Sequence, residues 1–197
     1  KGGPSSLAFQ GELNRLIEKN ALEIFNTFGG DAANAIRESL LTSLTTPLCV
    51  LDVVDMPLGI WQAENIVCEV NFYLPDVCAE TPLPQERFFK GFIDVVFSHG
   101  GKTYFADWKT DRLEPAQWAN HVALRDTMEG RGYELQLQLY SKALFRALNG
   151  AKSPERAYEA FGGGVYLFIR YGEGGVYARR PTLAELQAPL RIEADQA

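Results

Sequence analysis

Gly100 and Gly101 fall between two runs that alternate as strands, "FFKGFIDVVFSH" (88–99) and "KTYFADWK" (102–109), and this glycine pair constrains the chain more than any other feature. A two-residue hairpin loop needs backbone at positive φ, which glycine adopts without steric cost. With the glycines as the loop, residues whose numbers sum to 201 face each other, so Asp94 is expected opposite Asp107. Side chains alternate along a strand, which puts Asp107 and Lys109 on one face and Trp108 on the other.

Directly opposed positions bring Cβ atoms to about 4.5–5.5 Å, where like charges destabilise the pair. Two carboxylates held this way call for a cation. A hard divalent ion with oxygen ligands suits them, and Mg²⁺ in particular binds through one or two carboxylates while keeping several waters. Lys109, diagonal to Asp94, is placed to orient an attacking water or to neutralise charge building on a phosphate oxygen. The set acid, acid-x-lysine therefore reads as a site for metal-assisted phosphodiester hydrolysis. Acid-x-lysine triplets alone are common on solvated strands; the opposed second acid and the apolar flanks single this one out.

The remaining pattern supplies an α/β frame. Apolar residues at Leu7, Leu13, Leu16, Ile17, Leu22, Ile24, Phe25 and Phe28 predict a helix stopped by Gly29 and Gly30, and a second helix follows over about 31–44. Between Pro47 and Asn65 the pattern is weak and predicts loop with short pieces of structure. A strand over 66–74 precedes the hairpin. "EPAQWANHVALRDTM" predicts a short helix, "YELQLQLYSKALFRALNG" a long one ended by Gly150, "GGVYLFIRY" and "GVYARRP" late strands, and "TLAELQAPL" a closing helix opened by Thr182. The order αα-βββ-αα-ββ-α predicts a central mixed sheet flanked by helices. At 197 residues, 46% of them hydrophobic, the expectation is one domain over 1–197, with a helical part to about 46 and a core over about 64–181.

Composition narrows the function classes. A net charge of −6 argues against a protein that relies on bulk attraction to a polyanion, so nucleic-acid contacts are expected to be local, metal-mediated or shared with another polypeptide. The three cysteines, Cys49, Cys68 and Cys78, match neither a disulfide framework nor a zinc spacing. With no apolar run near the roughly 18 residues that span a bilayer, the expectation is a soluble chain in a reducing cytoplasm. No GxxxxGK[ST] loop occurs, so no ATP site is expected here.

"GFIDVVF" followed by "DWKT" resembles the core signature of the PD-(D/E)XK nuclease superfamily. "YELQLQLY", with Gln136 and Tyr140, resembles the Q-xxx-Y helix of its RecB branch. "LTTPL" (44–48), "VNFYLP" (70–75), "FGGGVYLFIR" (161–170) and "YARRP" (177–181) are also similar to RecB-type nuclease domains. The resemblance implies a restriction-endonuclease-like fold and Mg²⁺-dependent DNA cleavage, with Mn²⁺ as a substitute. It also implies work beside a helicase part of the same polypeptide and RecC- and RecD-like subunits, in double-strand-break repair and degradation of linear DNA. Carried over by residue, Asp94, Asp107 and the main-chain carbonyl of Trp108 are metal ligands, Lys109 is the catalytic lysine, and Gln136 and Tyr140 line the site.

Other candidates carry less. Thr110, Arg170 and Arg180 are candidate nucleic-acid contacts, as is Arg179, although strand arginines are as often paired surface charges. Glu69 either lies near the metal or alternates outward. His99 and His121 read as superficial or structural.

One departure stands out. The branch usually presents a histidine in its first helix; here "LNRLIE" (13–18) superposes best, with Asn14 at the histidine and Glu18 at the motif's glutamate, while Gly11 lies three rather than four residues before Asn14. Asn14 is then a weaker ligand, or the register differs, or the site is impaired, which would leave a nuclease-derived module that binds DNA or partner subunits. Imidazole binds Mn²⁺ more favourably than a neutral amide. Asn14→His is therefore expected to tighten Mn²⁺ binding and Asn14→Ala to weaken it without unfolding. Equal affinities by calorimetry, with thermal melts as control, would remove Asn14 from the site.

Overall fold

The computed structural model describes residues 30–75 and 88–190, with Gly11 and Arg15 besides. Most of the first predicted helix, including Asn14 and Glu18, lies outside the described residues. The second is α1, Gly30–Thr45. It stops where Thr45 and Thr46 hydroxyls donate back to the carbonyls of Leu41 and Thr42, at 2.7 and 2.6 Å, just before Pro47. The weakly patterned stretch folds into a small hairpin, β1 (Leu48–Val50) with β2 (Val54–Met56), and a tight turn at Gly59–Gln62. Three-residue strands are too short to show a period.

The main sheet follows the predicted order. Strands β3 (Asn65–Pro75), β4 (Phe88–His99) and β5 (Lys102–Lys109) are consecutive and antiparallel. The β4–β5 hairpin pairs His99 with Lys102 and runs to Val95 with Ala106, the register set by Gly100 and Gly101 at φ 56° and 75°. The helix expected from Glu114 begins later, as α2 (His121–Gly130), because the Asn120 side chain caps it by accepting from the Ala123 N–H at 3.0 Å. Helix α3 spans Tyr133–Ala147. Asn149, at φ 72°, takes the left-handed turn after it, while a Cβ on Gly150 would lie 2.4 Å from the Phe145 ring. A short α4 (Pro154–Ala160), not anticipated from sequence, leads into β6 (Phe161–Phe168), then β7 (Val176–Arg179) and α5 (Leu183–Gln187). Thr182 and Glu185 form a reciprocal cap at the start of α5.

The five strands lie in the order β3-β4-β5-β6-β7, with β5–β6 parallel and the other pairs antiparallel. This mixed sheet flanked by helices fits the restriction-endonuclease-like architecture. On one face Phe105, Tyr166 and Phe168 pack with Met128, Leu137, Tyr140 and Leu144 from α2 and α3. On the other, Val95, Phe97, Ala106, Val165 and Leu167 pack with Leu48, Met56 and Ile60. No helix among the described residues is long and apolar enough to cross a membrane.

The β5–β6 seam is tight. Its register shifts at Thr103/Tyr104, where Gly163 sits at φ 121°, and a Cβ on Gly164 would lie 2.2 Å from the fully buried Phe105 ring. Overpacking of this kind costs about 1–3 kcal/mol. Gly164→Ala is expected to lose that much stability in denaturant melts, with the fold retained.

Candidate active site

The end of β5 is polar because the sheet opens there. Pairing of β3 with β4 runs through Cys68–Val95 and resumes at Val70–Ile93, passing over Glu69 and Asp94, and Glu69 sits at φ 53°. The β4–β5 ladder also ends before Asp94, at Val95–Ala106. Strand β4 turns over at this point: Ile93 packs in the helix-side core, whereas Val95 and Phe97 pack in the opposite one. Asp94 is thus not a ladder partner of Asp107, as direct opposition would require. Its carboxylate is turned into the gap and accepts from the Trp108 main-chain N–H at 3.1 Å.

Alternation of β5 delivers the rest. Phe105, Asp107 and Lys109 face α3, and Trp108 packs against the other core. Lys109 Nζ donates to Asp107 Oδ1 at 2.6 Å and to Gln136 Oε1 at 2.8 Å, and Gln136 Nε2 donates to the Tyr140 hydroxyl at 2.9 Å. Gln136 and Tyr140, four residues apart on α3, therefore share the face that meets the lysine. The Asp107–Lys109 pair is withdrawn from solvent, with side chains 5% and 11% exposed. Burial, then the adjoining Asp94 carboxyl, push the Asp107 pKa up to about 6, against the opposing pull of Lys109.

The donor set suits a hard cation: two adjoining carboxyl groups and the Trp108 carbonyl. Lys109 turns its carbonyl toward β6, accepting from Ile169 N–H at 3.1 Å, so main-chain alternation turns both polar groups of Trp108 toward the Asp94 gap. Among the described residues no group of three or more His, Cys, Asp or Glu side chains gathers, so a metal here would keep several waters, as Mg²⁺ does.

The remaining candidates separate. Thr110 and Arg170, both exposed, lie just beyond Lys109, with Arg170 Nε donating to the Thr110 carbonyl at 3.0 Å. Arg180 does not join them. It donates to the carbonyls of Phe161 and Tyr158 at 2.8 and 2.6 Å, beside the start of β6, whereas Lys109 pairs with Phe168 at its other end. Seven strand residues separate those ends by roughly 23 Å. Arg179 is held in ion pairs with Glu134 and Glu185. Glu69 is exposed, and His121 stacks on Tyr177 with ring centroids 5.0 Å apart.

Sequence patterning did not single out Tyr133 or Asp111. The Lys109 ammonium stands 4.1 Å from the centroid of the Tyr133 ring, and the Tyr133 hydroxyl bonds both carboxylate oxygens of Asp111 at 3.1 and 3.0 Å. Burial and the Asp111 carboxylate push the Tyr133 hydroxyl up to about 12, so it stays a donor. The available signal was position: Tyr133 is three residues before Gln136, and Asp111 two after Lys109.

No family model matches the chain. It is similar to the RecBCD enzyme subunit RecB of Escherichia coli K12, 38% identical over 175 residues that cover 74% of this chain and 15% of that protein. The Borreliella burgdorferi subunit of the same name is 30% identical over 80% of this chain and 13% of its own length. That of Haemophilus influenzae is 27% identical over 91% of this chain and 16% of its own. The chain thus spans about 15% of the length of the curated relatives it matches.

The raised Asp107 pKa has a definite thermodynamic sign. Its folded value near 6 exceeds the ordinary carboxylate value of about 3.9, so the folded state holds this proton more tightly. The resulting stability is present below about pH 4 and lost as pH rises through about 6. Without divalent metal, Asp107→Asn is expected to melt above the parent at pH 8 and to lose this component of the pH dependence. A variant melting below the parent at pH 8 would contradict the assignment.

Proposed function

The chain belongs to the RecB family, and from that premise we propose that it is a metal-dependent nuclease domain that hydrolyses DNA phosphodiesters. In this reading it works within a RecBCD-type helicase-nuclease, beside a helicase in the same polypeptide and RecC- and RecD-like subunits, in break repair and degradation of linear DNA. The observation that carries the reading is the junction of an Asp94–Asp107 carboxyl pair with a largely buried lysine side chain, itself held by the Q-xxx-Y helix.

Asp94, Asp107 and the Trp108 carbonyl would hold the cation. When bound, Mg²⁺ supplies Lewis-acid polarisation of the scissile phosphate and lowers the pKa of water. Everything else falls to side chains. Asp107, deprotonated, binds and orients the ion, and its raised pKa makes that binding weaken below about pH 6. Lys109 presents an ammonium where negative charge grows on a phosphate oxygen, and its burial increases what that charge contributes. Gln136 fixes the lysine with its amide oxygen, an orientation set because its nitrogen is committed to Tyr140. Tyr140 accepts that bond and keeps its own proton, because burial raises its pKa, for donation to water or phosphate. Thr110 and Arg170 are proposed to meet the DNA backbone at the mouth.

Mg²⁺-dependent hydrolysis of linear single-stranded DNA tests this. Asp107→Ala is expected to abolish cleavage and most metal binding. Lys109→Ala should abolish cleavage and leave metal binding largely intact, because an ammonium is not a ligand. Substantial hydrolysis by purified Asp107→Ala would overturn the mechanism.

A further inference from the structure

Lys109 is held on three sides, and two of them belong to the chemistry already described. Asp107 and Gln136 take two of its three N–H donors. The third side is the face of Tyr133, with Tyr166 behind it at 5.4 Å from the ammonium. A cation against an aromatic face is attracted by the ring's negative π cloud, most strongly when both are withdrawn from water. Lysine has four flexible methylenes and about 2 kcal/mol of rotamer entropy, so two hydrogen bonds alone leave its approach loosely defined.

The ring is itself fixed. It stacks on Tyr166, with centroids 6.4 Å apart and planes 23° apart, and tilts against Phe168. Its hydroxyl is tied to Asp111, which Arg131 also pairs at 2.5 Å while donating to the Arg112 carbonyl at 3.2 Å. Tyr133 opens α3 directly after Gly132, which turns at φ 73°. One closed circuit therefore runs from Lys109 through the ring and hydroxyl to Asp111, two residues further along the same chain. It joins the end of β5 to the start of α3, the helix that carries Gln136 and Tyr140.

We infer that Tyr133 is a positioning residue for the proposed nuclease site: its ring face sets the Lys109 ammonium, and the Asp111–Arg131 pair sets the ring. The inference rests on the nuclease reading for its kinetic consequence and on geometry alone for its spectroscopic one. Two substitutions separate the parts of the device. Tyr133→Phe keeps the ring and loses the tether; Tyr133→Leu loses both.

The test uses the full chain, with Mg²⁺-dependent single-strand cleavage and NMR of the Lys109 ε-methylene as readouts. A methylene beside a ring face is shifted upfield, and this needs no activity. Tyr133→Leu is expected to abolish that shift and to lower kcat on the order of thirtyfold, the size of a desolvated cation–ring contact, with KM nearly unchanged. Tyr133→Phe should keep the shift and recover most of kcat, and both variants should melt cooperatively. An unshifted Lys109 methylene in the parent overturns the inference whatever the activity. So does a Tyr133→Leu variant with parental kcat, or equal kcat losses in both variants. A shifted methylene in an inactive parent supports the clamp and refutes the nuclease reading instead.

Discussion

The main-chain N–H of Trp108 is the atom on which the site turns. In a continued hairpin it would bond a carbonyl of β4; here it bonds the Asp94 carboxylate. A buried N–H left unsatisfied costs about 1–3 kcal/mol, so β4 and β5 can part only because a side chain substitutes for main chain. Their parting admits a second carboxylate beside Asp107 and turns the Trp108 carbonyl into the same opening. Asp94 is thus the side chain that closes the main-chain gap at which β4 and β5 part. Under the proposed nuclease reading, truncating Asp94 would remove a ligand and a main-chain acceptor together.

Parts of this arrangement are written locally, and those parts are legible in sequence. Two glycines and period-2 alternation determine the hairpin register, and the same alternation places Asp107 with Lys109. Spacing alone puts Gln136 and Tyr140 together on one helical face. What the face meets is not local: Gln136 reaches a lysine 27 residues earlier, through packing of α3 on the sheet. Tyr133 escaped notice for the same reason, since an aromatic residue in a helical first turn reads equally well as core. Arg180 shows its basicity in the sequence, whereas its carbonyl partners 19 and 22 residues away do not show there. The turnover of β4 at Asp94 was hidden too, because apolar residues continue at odd positions straight through it; only the core they enter changes.

Electrostatic frustration is concentrated at the end of β5, beside the apolar cores that pack on the two faces of the sheet. Two carboxyl groups share a dry corner with one ammonium, leaving one negative charge more than the corner can comfortably hold. Below about pH 6 a proton on Asp107 answers that excess. Under the proposed nuclease reading, a divalent cation would compete with that proton for the same oxygens.

The glycine seam at the other end of β6 gives the sheet a mechanical property. Gly162 and Gly164 offer bare backbone to the rings of Tyr104 and Phe105, and the register step at Gly163 lies between them. Sliding β5 along β6 would carry the Tyr104 and Phe105 rings off the glycines that make room for them. The seam acts as a detent: a shift of β5 along β6 is resisted by steric indexing five positions back from Lys109, and not only by the ladder of hydrogen bonds.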